Sequence, residues 1–199
     1  MAKNAPYPRH VSEAAIQNDP DSGHFLTPVP SPVPGGRTNH GSLDIRIDPD
    51  GVWHYQGSPI NRKEMVCLFA SVLVRDSVGN YWMVTPSEMG QIQVDDAPFI
   101  AVEMFVAGEG RAQTVSFRTN VDEIVTVDSD HPITVAIDPA TGEPSPYVSV
   151  RSGIQARLSR AVYYDLAALA VSEAVADTHD LGIWSDGSFF RLGSMDDDG

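Results

Sequence analysis

The chain has 199 residues and a net charge of −14, with 27 acidic against 13 basic side chains. A field of that sign repels phosphate backbones and anionic bilayers, so neither nucleic acid nor a membrane surface is an expected partner. The hydrophobic share of 42% and mean hydropathy of −0.16 are those of an ordinary globular chain. The lone Cys67 rules out an internal disulfide framework, and no run approaches the ~20 apolar residues of a membrane span.

The length fits one large domain or two small ones. Residues 1–40 carry three basic and three acidic groups, so the whole negative excess falls on residues 41–199. Residues 120–150 alone hold six acids and no Lys or Arg. The first residues, Met1 to Pro6, form no apolar run, which predicts no signal peptide and a cytoplasmic protein.

Residues 1–40 are expected to be a proline-rich mobile arm or a strap over the body. They hold seven of the fifteen prolines, and Pro28, Pro30, Pro32 and Pro34 alternate, which favours polyproline II and forbids a hydrogen-bonded ladder. Ser12 is placed to cap a short helix there. The body begins near Gly41. Leu43, Ile45 and Ile47 alternate with Asp44, Arg46 and Asp48, the period of a half-buried strand. Asp48, Pro49, Asp50 and Gly51 make a tight turn, and Val52 to Tyr55 return as a second strand. Asn61 as N-cap and Glu64 three residues on predict a helix, with Met65, Leu68, Phe69 and Val72 as its apolar stripe. A turn over residues 76–80 leads to a strand over 81–84.

Short strands are expected at 91–94, 100–105, 113–118 and 123–127. The same order of parts then recurs. Ile133, Val135 and Ile137 alternate and run into Asp138 and Pro139, residues 147–150 return, and Ser159 caps a helix that carries Val162, Leu166 and Leu169 on one face. Asp186 and Gly187 mark a closing hairpin. The expected fold is therefore α+β: mostly antiparallel sheets with two main helices, a strand–hairpin–helix–hairpin unit repeated twice. Its divisions are 1–40 for the arm, 41–107 for the first unit and 108–199 for the second.

The six histidines include no pair at metal-ligand spacing, and no dinucleotide, phosphate-loop or nucleophile-elbow motif occurs. The turn at Asp48 resembles a calcium loop only in part, since alignment on Gly51 puts Gly57 where the bidentate carboxylate belongs. No catalytic residue, metal or cofactor is assigned. The arginines attract more notice. Arg46 lies on the polar side of its strand, Arg118 ends another beside Asn120, and Arg151, Arg157 and Arg160 gather around the start of the second helix. They serve either to neutralise neighbouring carboxylates or to form an anion pocket at a helix N-terminus, flanked by Trp53, Tyr55 and Tyr147.

Residues 44–60, 84–88 and 94–99, with Thr119, Asn120, His131, Pro132, residues 147–151 and residues 155–160, resemble the family called domain of unknown function 1285. The likeness runs over about residues 40–193. It implies an α+β fold with a repeated motif and a part in signal transduction, and it carries over no catalytic residue. The favoured reading is a non-enzymatic regulatory module that binds a small anionic ligand or a protein partner. Two alternatives stand beside it. One is an enzyme of unrecognised type acting on a small anionic metabolite, with groups such as His54, Glu88, Asp95 or His131 brought together by folding. The other is a scaffold forming a homo-oligomer through exposed Trp53, Trp82 and Trp184.

Overall fold

The structure, a computed structural model, describes residues 26, 29, 35–139, 141–175 and 178–194. Most of the arm, including the helix expected after Ser12, lies outside the described residues. The strands run in chain order as β1 (Thr38–Ile47), β2 (Trp53–Tyr55), β3 (Ser58–Pro59), β4 (Leu73–Arg75), β5 (Tyr81–Val84), β6 (Glu88–Val94), β7 (Phe99–Ala107), β8 (Thr114–Thr119), β9 (Ile124–Thr126), β10 (Ile133–Ile137), β11 (Pro144–Arg151), β12 (Ile154–Leu158), β13 (Val171–Val175), β14 (Thr178–Ser185) and β15 (Ser188–Ser194). Helix α1 (Lys63–Ser71) follows β3, and α2 (Arg160–Ala168) follows β12.

The first sheet has the order β3-β2-β1-β6-β5-β4 and the second β10-β11-β12-β7-β8-β9, while β13-β14-β15 form a third. Neighbours pair antiparallel except at two seams, β1 with β6 and β12 with β7. The α+β expectation is thus overturned. Among the described residues fifteen strands dominate, the two α-helices have nine residues each, and the fold is mostly β. The repeated unit does not describe the sheets either. The six strands around α1 close one sheet, but those around α2 are divided between two, and β7 to β9 complete the second. Tight polar turns reverse the chain into hairpins where longer crossovers would have needed helices.

The turns share one device. Asp48 accepts the N–H groups of Asp50 and Val52 on one carboxylate oxygen, and its other oxygen lies 2.8 Å from His54 Nε2. Asp76 repeats it: one oxygen takes the N–H groups of Val78 and Asn80, the other the Asn80 amide and, at 3.0 Å, the Trp82 indole N–H. In both loops the glycine, Gly51 or Gly79, sits at positive φ and donates back to the aspartate carbonyl. A carboxylate that accepts several N–H groups satisfies a hairpin end that has run out of ladder partners.

One hydrophobic core joins the sheets and both helices. Ile47 and Trp53 from the first sheet meet Phe99, Phe117 and Ile154 from the second and Leu166 from α2, all buried. Each such burial contributes about 1.5–3 kcal/mol. The stripe of α2 is as expected, with Val162 and Leu166 buried and the Ser159 hydroxyl accepting the Val162 N–H. That of α1 is turned. Ile60 donates to the Trp53 carbonyl and stays with the sheet, so the helix starts after Arg62 rather than at Asn61, without a side-chain cap. Val66, Phe69 and Ala70 then face the core, and Leu68 is left 63% exposed.

Asp76 is only 4% exposed. Burial would raise its carboxyl, but the Trp82 and Asn80 donors and the Val78 N–H outweigh that and hold it below the ordinary 3.8. Its folded value is depressed, so its contribution is complete above about pH 4 and is lost as pH falls through the folded value. Asp76→Asn should cost about 1–3 kcal/mol at pH 7, and the gap to the wild type should close below pH ~4 in urea titrations run across pH.

Candidate functional site

The β11–β12 hairpin and the start of α2 build the larger of two surface cavities described here, a groove of about 720 Å³. Strand alternation puts Arg157 on the side of β12 opposite the buried Ala156 and Leu158. Arg160 is the first helical residue, after the Ser159 cap, and Tyr163 and Tyr164 lie one turn on. Pro144 and Pro146 of β11 line the groove as well, as do the acidic Asp50 and Glu143. At this end of α2 the Ser159 hydroxyl already takes the Val162 N–H and the Ser159 carbonyl takes the Tyr163 N–H.

Arg157 is already held. Its Nη2 donates to the Pro49 carbonyl at 2.6 Å and its Nε lies 3.4 Å from Asp96 Oδ2. Tyr147 donates to the other Asp96 oxygen at 2.8 Å, and burial followed by that hydrogen bond pushes its hydroxyl pKa up. Arg160 is exposed and makes no ion pair or side-chain hydrogen bond among the described residues. The groove therefore presents one guanidinium that no other described residue engages, beside two tyrosine rings, of which Tyr164 is 64% exposed.

The other expected residues have gone elsewhere. Arg46 pairs with Asp95, whose carboxyl is held low first by that hydrogen bond. Arg118 bridges Glu103 at 2.7 Å and Asp122 at 3.0 Å. Arg151 Nη1 spans both Glu123 oxygens at 3.0 Å, and its Nη2 donates to the Ala70 carbonyl at 2.6 Å. Asn120 accepts the Ile100 N–H at 3.0 Å and donates to the Gly51 carbonyl at 3.1 Å. Trp53 is 1% exposed and packs on Phe69, so it flanks no pocket and belongs to no exposed self-interface. Tyr55 is exposed on β2, and its partner across the ladder is Ile45.

A second cavity of about 550 Å³ lies on β1 and β2 and is lined by Arg46, His54, Gln56 and Gln93. It brings His54 near the Arg46–Asp95 pair. Glu88 instead faces His40 at 3.5 Å and His131 faces Asp128 at 2.8 Å, and neither lines the cavity. Among the described residues no group of His, Cys, Asp and Glu is arranged to hold a metal ion. The sequence reading missed Tyr164, Asp50, Glu143 and the two prolines of the groove. Tyr164 had one available signal, since it falls off the Val162–Leu166 stripe of α2 and so must face away from the core.

Two family models match the chain. The N-terminal domain of DUF1285, a domain of unknown function, covers residues 34–97, and the C-terminal domain of the DUF1285 protein of unknown function covers residues 98–192. Among solved structures, the chain is similar to a DUF1285 family protein from Silicibacter pomeroyi DSS-3, with 43% identity over 84% of this chain and 91% of that one, at a TM-score of 0.73. A DUF1285 family protein from Shewanella baltica OS155 is 27% identical over 62% of this chain and 89% of that one, at a TM-score of 0.48. No functionally curated protein matches. No helix among the described residues is long and apolar enough to cross a membrane.

The different fates of the arginines are measurable. Arg151→Ala strands Glu123 and the Ala70 carbonyl and should cost about 1.5–3 kcal/mol in chemical denaturation, whereas Arg160→Ala should stay within about 0.5 kcal/mol of wild type.

Proposed function

The chain belongs to the DUF1285 family, and from that premise we propose that it is a non-enzymatic regulatory module of the cytoplasm that takes a small anionic ligand in the groove at the start of α2. The observation that carries this reading is the contrast among the arginines. Arg46, Arg118, Arg151 and Arg157 are engaged by carboxylates or carbonyls, and Arg160 alone of the expected group faces the groove unengaged. A guanidinium gives a fork of donors for a carboxylate or phosphate, and the positive end of the α2 dipole adds to it.

The acidic part of the lining narrows the class of ligand. Asp50 and Glu143 would repel a bare polyanion, so the favoured ligand carries hydroxyl or amine donors for them as well as an anionic group for Arg160. Tyr163 and Tyr164 offer ring surface for its apolar part. Occupancy would be read out by a partner, which is the form a part in signal transduction would take. A second reading, an enzyme, is favoured by His54, which lines the smaller cavity beside Arg46 and is held at 2.8 Å by Asp48. Turnover abolished by His54→Ala would establish it.

Thermal-shift titration with inorganic phosphate, nucleoside monophosphates, dicarboxylates and phosphorylated sugars tests the main reading. A bound ligand at ~100 times its dissociation constant should add about 2.7 kcal/mol. The expected result is a shift with at least one of these that Arg160→Ala abolishes. An equal shift in Arg160→Ala, or no shift with any of them, overturns the proposal.

A further inference from the structure

The two sides of the first sheet are both apolar in part, and only one faces the main core. Tyr81, Met83 and Ile92 point into that core. Alternation puts their neighbours Trp82, Val84, Met89 and Gln91 on the other side, with Val74 opposite Trp82 on the edge strand β4. A sheet side that faces water is expected to be polar. Here Val74, Val84 and Met89 form a second, separate apolar cluster that is 4%, 0% and 6% exposed. Among the described residues, Trp82 and Val29, the latter from the proline-rich arm, pack on it.

The arm meets the sheet at a second point. Leu26 donates its N–H to the Arg75 carbonyl at 2.7 Å, which is the outward edge of β4. Its side chain lies so close to Gly153 that a Cβ there would meet it at 2.8 Å. Downstream, Gly35 and Gly36 both take positive φ, Arg37 donates to the Thr85 carbonyl at 2.9 Å, and β1 begins. The segment is thus tied to the first sheet on both sides of the alternating prolines. Those prolines lack N–H groups, so the arm can add one hydrogen bond to an edge but cannot extend the ladder. Aromatic-lined surfaces commonly take extended proline-rich segments, and Val29, which the sequence sets between Pro28 and Pro30, packs on the cluster that Trp82 also covers.

We propose that the outer side of the first sheet, centred on Val74, Trp82, Val84 and Met89, is a binding surface for an extended proline-rich segment, and that its occupant is the part of this same chain's arm that carries Leu26 and Val29. The cis occupant holds the surface by tethering, which raises its effective concentration to the order of millimolar. The site is independent of the groove at α2.

The test uses the full-length chain and a labelled synthetic peptide of residues 24–36. Val29→Asp should speed hydrogen exchange at the Leu26 amide by about tenfold or more and leave the β8 and β12 amides unchanged. The peptide should then bind Val29→Asp at least about tenfold more tightly than wild type by fluorescence anisotropy, because the wild-type surface is already filled. If Val29→Asp loses β8 protection as well, Val29→Ala gives the same comparison with a milder change. Unchanged Leu26 exchange in both variants overturns the proposal, and so does equal peptide binding to wild type and variant. Leu26 protection that rises with protein concentration would assign the occupant to a second copy and overturn the cis assignment.

Discussion

A backbone carbonyl shut away from water must find a donor, and at the junction between the first and second sheets it finds one in a side chain. The buried Gly51 and Ala70 carbonyls are met by the Asn120 amide and by Arg151, and nearby Arg157 ties the carbonyl of the exposed Pro49 in the same way. All three donors come from the second sheet or its loops, and all three acceptors lie where the first sheet and α1 end an element. The chain holds few basic groups, and these ties use two of them as backbone donors. Gly51 shows how tightly the junction closes. A Cβ there would stand 2.7 Å from Ile100 and 2.8 Å from Asn120, at a φ of +74° that already favours glycine.

The third sheet is fastened on the same principle. The Ser185 hydroxyl accepts the Val115 N–H at 3.0 Å and donates to the Val127 carbonyl at 2.7 Å, and the Gln113 amide donates to the Trp184 carbonyl at 2.8 Å. Outside these hydrogen bonds, Arg111 lies 4.6 Å over the Trp184 ring while both groups reach Glu173. A short polar side chain that can donate and accept at once is well suited to joining two sheets whose own ladders end nearby.

What could be read from the sequence was what the chain decides locally. The alternation at Ile45 and Ile47, the turn at Asp48 and the Ser159 cap each depend on residues within a few positions, and the structure has them where the pattern put them. The destinations of the arginines depend on partners far along the chain, Glu123 at 28 residues and Ala70 at 81 from Arg151, and Pro49 at 108 from Arg157. No spacing rule connects such pairs, so a cluster of guanidinium groups looked like a site when most of it was fastening. The face of α1 was misread for a related reason. Propensity fixes that a helix forms, but the sheet beneath it decides which side is buried.

The parallel seam between β1 and β6 bears on the order in which the protein can assemble. In that seam Ile47 stands beside Val94, so one side of β1 has no partner until nearly fifty further residues have been synthesised. Hairpins such as β4–β5 can close at once, whereas this pairing must wait for loop closure across most of the first sheet. On the ribosome, β1 therefore emerges as an open template with β2 as its only neighbour. The polar run of Thr38, Asn39 and His40 at its start, unlike its apolar end, is the kind of sequence that discourages a wrong strand from settling there first.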